Sequence, residues 1–346
     1  MVPALRSGVY RWAGTIPFIV KSRDPADRIV VVYPSNTQNA YNKRGGRSLY
    51  TTPRATAVSF QRPVDPPVLD LARPLLEWLA RGDLPVRYVA DQDLEDADAL
   101  AGAKVVVIIG HSEYWTRAAR RTFDRFVDAG GDAVILSGNT MWWQVRYDAG
   151  RDRMICYKNT PDPEADPLLA TTNWTAPGLR YPPMRSTGGD FDHGGYGDHR
   201  EDPPGEKRGW DGFRIVAPLS PFLAGTGLRP GDVLSLPSRE YDGAPIAGFD
   251  AAGVPILDRA TLGFHRLELI GYNLGYRRRP TVGTWIVFQR TATSGVVVNT
   301  ATTDWAGASG IGGRDGDVIG RITRNMLMTL VERRSAFAAD GSGRAG

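Results

Sequence analysis

The chain has 346 residues, 42% of them hydrophobic, and a formal net charge of +4. That length suffices for one large core or two smaller ones, and the scattered charge excludes a dedicated nucleic-acid surface. The tight basic run Arg277-Arg278-Arg279 reads as a solvated loop, and the single cysteine, Cys156, excludes a disulfide framework and cysteine-rich zinc sites.

The first 20 residues carry no apolar signal region and no stretch approaches a membrane span, so a cytoplasmic location is expected. Residues 8–20 alternate and are broken by Gly14 and Pro17, which predicts one or two short strands. Residues 28–33 (RIVVVY) form a buried strand, followed by a polar loop over 34–50 that is too long for a mere connector. A helix is expected over 69–81, with Pro74 near its start, then a short strand at 86–90. The β-branched run at 104–109 is a fully buried strand. Residues 116–129 have helical spacing, with Thr116 as N-cap and Gly130-Gly131 as the stop. A strand at 133–136 ends in Ser137-Gly138-Asn139. This alternation predicts an α/β, three-layer core with a mainly parallel sheet. Residues 160–212, rich in Pro, Gly, Asp and aromatics, read as an irregular lid insertion. Short strands are expected at 232–236, 245–249, 284–289 and 295–299, and a helix at 318–330. Residues 1–334 are read as one domain and 335–346 as a flexible tail.

Ligands of parallel sheets sit outside the carboxyl ends of the strands. The strand at 104–109 delivers His111, Ser112, Glu113 and Tyr114 to that position. No G-x-G-x-x-G follows a strand and no Walker lysine pattern occurs, which argues against a nucleotide cofactor. The turn lacks G-x-S-x-G, so a Ser112 nucleophile has little support, and Cys156 reads as a buried structural thiol. His193 and His199, with Asp192 and Asp198, offer zinc ligands or a set of Asx turns. Glu113 is either a helix cap or, with Tyr33 and Tyr41 on the loop after the first buried strand, part of a hard oxygen-donor set suited to Fe(III).

Several motifs occur in a telling order. They are Ser7-Gly8-Val9-Tyr10, Tyr33-Pro34-Ser35-Asn36-Thr37, Ala40-Tyr41-Asn42 with Gly45-Gly46, Gly110-His111-Ser112-Glu113-Tyr114-Trp115, Ser137-Gly138-Asn139 with Trp143, and Thr303-Asp304-Trp305. In them the chain resembles the C-terminal catalytic domain of the N,N-dimethylformamidase large (β) subunit family. The resemblance implies a fold similar to class I glutamine amidotransferases. It also implies a mononuclear Fe(III) held by two tyrosines and a glutamate, and hydrolysis of a small neutral amide. The glutamate carries over to Glu113, and the supporting histidine and asparagine to His111 and Asn139. The tyrosines fall on Tyr41 and Tyr10, with Tyr33 and Tyr50 as rivals. A downstream acid or base corresponds to Glu240, although Asp242-Gly243 also reads as a surface turn, and Lys158 is a further candidate. Trp115, Trp142 and Trp143 would line an apolar pocket or pack in the core. An accessory subunit or a homo-oligomer is implied. The competing readings are a non-catalytic glutamine-amidotransferase-like binding module and a metal-independent hydrolase using Ser112 or Cys156.

Overall fold

A computed structural model describes residues 7–12, 16–22, 24, 26–64 and 71–338. Strands β1 (Gly8–Trp12) and β2 (Ile16–Val20) form an antiparallel hairpin. The buried run β3 (Ile29–Tyr33) leads into helix α1 (Ser35–Tyr41), inside the segment expected to be a loop. The reason α1 escapes a hydrophobicity reading is its content: Asn36, Thr37, Gln38 and Asn39 are buried, so its inward face is polar. Its amino end is satisfied from outside, by Asp91 accepting from the Asn36 backbone at 2.8 Å. Then follow β4 (Ala57–Ser59), α2 (Arg73–Arg81) with Pro74 in its first turn, and β5 (Val86–Ala90). Residues 69 and 70 of the expected helix lie outside the described residues.

Strand β6 (Val105–Gly110) is followed by a short strand, β7 (Tyr114–Thr116), and by α3 (Arg117–Asp128), which Thr116 caps by accepting from Ala119. Next come β8 (Asp132–Ser137), β9 (Trp143–Tyr147) and β10 (Arg153–Ile155). The insertion contains the helical turns α4 (Met184–Thr187) and α5 (Phe191–Gly194) and the two-residue β11 (Gly195–Tyr196). Beyond it run β12 (Gly212–Ile215), β13 (Val233–Ser235), β14 (Glu240–Gly243), β15 (Ile246–Phe249) and β16 (Pro255–Leu257). The chain continues through α6 (Arg259–Leu262), β17 (Arg266–Tyr276), β18 (Pro280–Gln289), β19 (Val296–Asn299) and α7 (Gly316–Val331).

The main sheet runs β13-β12-β17-β18-β19-β8-β6-β3-β5. It is mixed rather than mainly parallel. Its half from β19 to β5 is parallel, and its half from β13 to β19 is antiparallel. The longest of the strands that sequence patterning missed is β17, whose Gly271 and Gly275 and a register shift after Leu269 break the alternation. Alternate residues of the parallel strands feed two cores. Ile29, Val31, Val105, Val107 and Ile109 pack with α2 and α7; Val30, Val32, Val106, Ile108 and Ile135 pack with α3. That is the three-layer arrangement.

A second sheet, β4-β10-β9-β7, and α1 enclose a third core around Leu49, Tyr114, Trp143 and Met154. The insertion is pinned to α3 by Arg120. This fully buried side chain donates to the carbonyls of Tyr181 and Pro182 and lies 3.8 Å from the Tyr181 ring centre. The tail expected to be flexible from 335 is packed as far as it is described: Ala336 and Phe337 are buried, with Arg266 over the Phe337 ring. No helix among the described residues is long and apolar enough to cross a membrane.

Candidate active site

The site begins at the carboxyl end of β6, where the chain leaves the sheet as His111-Ser112-Glu113. Hydrogen bonds fix this exit. The Ser112 N–H donates to Ser137 Oγ at 3.0 Å and the Glu113 N–H to Thr37 Oγ1 at 2.9 Å. His111 Nδ1 lies 3.1 Å from the Gly138 carbonyl, which orients the ring and turns Nε2 toward Glu113 Oε2 at 3.3 Å. Both side chains are buried.

Two phenols meet the same carboxylate oxygen. Tyr41, the last residue of α1, donates to Glu113 Oε2 at 2.9 Å. Tyr50, nine residues on, donates to it at 3.3 Å. Their rings stack with centres 4.1 Å apart, so the hydroxyls are held side by side. Lys158 Nζ closes the far side, 2.6 Å from the Tyr50 hydroxyl, 2.7 Å from that of Tyr114 and 3.7 Å from Glu113 Oε1. Burial, together with the Glu113 charge, holds Tyr41 and Tyr50 well above the ordinary phenol range. Burial opposes ionisation of Glu113, but Lys158 and the His111 hydrogen bond win and hold its carboxyl at about 2. His111 also resists its own desolvation, because Glu113 and the Glu240 charge raise it to about 9.

The opposite wall comes from the ends of β8 and β14. Asn139, in the left-handed region at φ 50°, donates to Glu240 Oε2 at 3.0 Å; its Oδ1 is buried without a hydrogen-bond partner. Glu240 Oε2 stands 3.7 Å from His111 Nε2. Asp242, two residues along β14, is buried and accepts from the Thr140 N–H at 3.1 Å, which overturns the surface-turn reading of Asp242-Gly243. Burial pushes its carboxyl up to about 8. The folded state then keeps a proton that the unfolded chain releases at about pH 4, so this group makes stability fall as pH rises from about 4 to about 8. Asp242→Asn is expected to flatten that slope in the metal-free protein. Denaturant midpoints at about pH 5 and about pH 8 check it.

Tyr41, Tyr50, His111, Glu113, Asn139, Lys158 and Glu240 form the base of a cavity of about 690 Å³, also lined by Gln38, Trp142, Trp143, Phe191, Tyr196, Arg200, Arg239 and Arg277. Among the described residues, no three His, Cys, Asp or Glu side chains are placed to hold a metal ion. A metal here would therefore depend on phenol oxygens. The donor set at the base does fit a hard, highly charged cation: two hydroxyls and a carboxylate oxygen share one point, with the carboxylate already ionised.

Residues 6–313 match the family model described as N,N-dimethylformamidase beta subunit-like, C-terminal. The chain belongs to that family. None of the curated proteins searched matches. Among solved structures, the chain aligns with the "mmIFT52 N-terminal domain" at 10% identity and a TM-score of 0.39, covering 87% of this chain and 97% of that one. So loose a likeness carries no argument.

Within this dimethylformamidase-like domain, the structure brings together Tyr41, His111, Glu113, Asn139, Lys158 and Glu240. It does not bring Tyr10 to them. Tyr10 lies on β1, stacks on Phe18 and lines a different cavity with Tyr33 and Tyr88. The second tyrosine beside Glu113 is Tyr50, and Tyr33 is also turned away. Trp142 and Trp143 line the cavity, whereas Trp115 is core, its indole N–H donating to Ser112. Ser112 is buried and is no part of the cavity wall, and burial pushes the Cys156 thiol up to about 12, away from nucleophilic use. The His193 and His199 cluster is dispersed: His193 pairs with Asp190, His199 with Asp202 and Asp211, Asp192 with Arg277, and Asp198 with Arg200.

Sequence reading did not find Tyr114 as a hydrogen-bonding neighbour of Tyr50, or Arg200 and Arg277 as cavity residues. Tyr114 was visible inside the Glu113 motif, but nothing showed on which side its hydroxyl would lie.

Proposed function

We propose that the protein is an iron-dependent hydrolase of an amide or related C–N bond, with Fe(III) held by Tyr41, Tyr50 and Glu113. The observation that carries this reading is the convergence of both phenol hydroxyls on Glu113 Oε2 at the base of the cavity. Bound there, a ferric ion supplies Lewis acidity toward the amide oxygen and acidifies a water molecule.

The chain's own groups do the rest. Lys158, beside the Tyr50 oxygen and Glu113, offsets negative charge as the phenols ionise. Glu240, held by the Asn139 amide and facing His111, takes the proton released when water adds to the carbonyl carbon. It returns that proton to the nitrogen as the C–N bond breaks, giving acid and amine. His111, tied to the Gly138 carbonyl, keeps Glu113 in place.

The family's description as β subunit-like supports an accessory subunit as partner. The parallel half of the sheet, with its polar cluster outside β6, supports a glutamine-amidotransferase-like core. A cytoplasmic location completes the reading.

Metal analysis tests it. Protein from iron-replete cells is expected to carry about one iron per chain and a visible phenolate-to-iron charge-transfer band. Iron-free protein, or stoichiometric zinc without the band, rejects it.

A further inference from the structure

We infer that the substrate is not a bare small amide but an amide with an apolar arm ending in a carboxylate, the arm lying along Trp142, Phe191 and Tyr196 and the carboxylate meeting Arg277 and Arg200. This rests on the amide-hydrolase reading of the same site.

Size is the first argument. An amide of five heavy atoms fills on the order of 150 Å³ at about 30 Å³ per water-sized group, so most of the 690 Å³ would stay empty of substrate. Clefts of this size suit larger ligands.

Wall chemistry is the second. From the iron-site end the wall is aromatic, with Trp142 and Phe191 edge to face at 5.7 Å and Phe191 and Tyr196 at 5.2 Å. Guanidinium groups lie against that strip. Arg277 is 4.1 Å from the Phe191 ring centre and 5.0 Å from that of Trp142, and Arg200 is 4.8 Å from that of Tyr196.

Charge is the third. The cavity is lined by Lys158, Arg200, Arg239 and Arg277 against only Glu113 and Glu240. The carboxylates paired with the arginines, Asp192, Asp198 and Asp304, belong to no wall of the cavity. Each arginine is already ion-paired, Arg200 through Nε and Nη2 and Arg277 through Nε. The cavity therefore offers the guanidinium N–H groups that these pairs leave over, and a neutral amide makes no use of them. A carboxylate does, because guanidinium matches its geometry with paired hydrogen bonds.

Matched probes test the inference on the iron-loaded protein. 6-Acetamidohexanoic acid and 6-acetamidohexanamide differ by one charge at the end of the same apolar arm. Calorimetry reads their binding and amine release reads their hydrolysis. The acid is expected to bind at least about tenfold more tightly, with the ratio shrinking as salt rises. Arg277→Gln and Arg200→Gln should each cut the ratio severalfold, and Arg277→Lys should restore part of it. A ratio near one in the wild type, or a ratio untouched in both glutamine variants, overturns the inference. The two readings also part company. Tight binding of the acid without hydrolysis keeps the carboxylate site and counts against the hydrolase, whereas hydrolysis of both probes at equal KM keeps the hydrolase and rejects the carboxylate site.

Discussion

Glu113→Gln is expected to empty the iron site and to destabilise the protein. In the folded chain Glu113 Oε2 receives Tyr41, Tyr50 and His111 at 2.9, 3.3 and 3.3 Å, and Oε1 faces Lys158 at 3.7 Å. A glutamine keeps the shape and removes the charge. Its amide must aim N–H groups at Lys158 or at two phenol hydroxyls that already donate. Lys158, largely covered and itself pushed down by desolvation, loses the carboxylate that supports its charge. Removing one partner of a buried ion pair costs about 3–5 kcal/mol, so the denaturant midpoint should fall clearly. Loss of one of three anionic oxygen donors should lower iron affinity by more than the roughly 10–100-fold seen when only a supporting partner is removed. Iron content after dialysis and the visible band are the measurements. Tyr50→Phe should bind less iron and show a weakened, shifted band, while Tyr10→Phe, on the hairpin that lines another cavity, should keep both iron and band unchanged. A Glu113→Gln protein with full iron and an unchanged band would remove Glu113 from the metal shell.

The parallel half of the fold was legible because buried strands advertise themselves. The runs ending at Tyr33, Gly110 and Ser137 are apolar on both faces, and α3 follows with a clear cap at Thr116. The antiparallel half was less so, since β17 hides its alternation behind two glycines and a register shift. The site follows the same division. Glu113 and His111 could be placed because they leave a legible strand. Tyr41 and Tyr50 could not be separated from Tyr10 and Tyr33, because that choice depends on α1, whose buried face is polar and gives no hydrophobic period. Arg200 and Arg277 lie 77 positions apart and come together through one ladder contact, Tyr196 opposite Tyr276. No local pattern encodes that.

Gly138→Ala is expected to give the complementary failure: iron retained, turnover lost. A Cβ on Gly138 would lie 2.7 Å from the Glu240 carbonyl oxygen, 2.7 Å from the Thr303 nitrogen and 2.9 Å from the Thr302 carbonyl carbon. All three are backbone atoms, so no rotamer change relieves the contact. The end of β8 must move away from β14 and the 302–303 segment. Overpacking of this kind costs about 1–3 kcal/mol, which a denaturant midpoint resolves. The chemical consequence is larger. Gly138 supplies the carbonyl that holds His111, and its neighbour Asn139 holds Glu240 across the very gap that must widen. Misplacement of a reacting group by about 1 Å can cost on the order of 100-fold in rate. His111 is only one support of Glu113; Tyr41, Tyr50 and Glu113 are also fixed from the other side, by α1, the Thr37 hydrogen bond and Lys158, so the visible band should persist. Gly178→Ala, whose Cβ would meet nothing within 4 Å, is the control for an added methyl group. If Gly138→Ala turns over amide at the wild-type rate, Glu240 and Asn139 do not act at the reacting atoms. If it loses iron as well as rate, the two walls are one mechanical unit, and metal holding is not separable from proton handling.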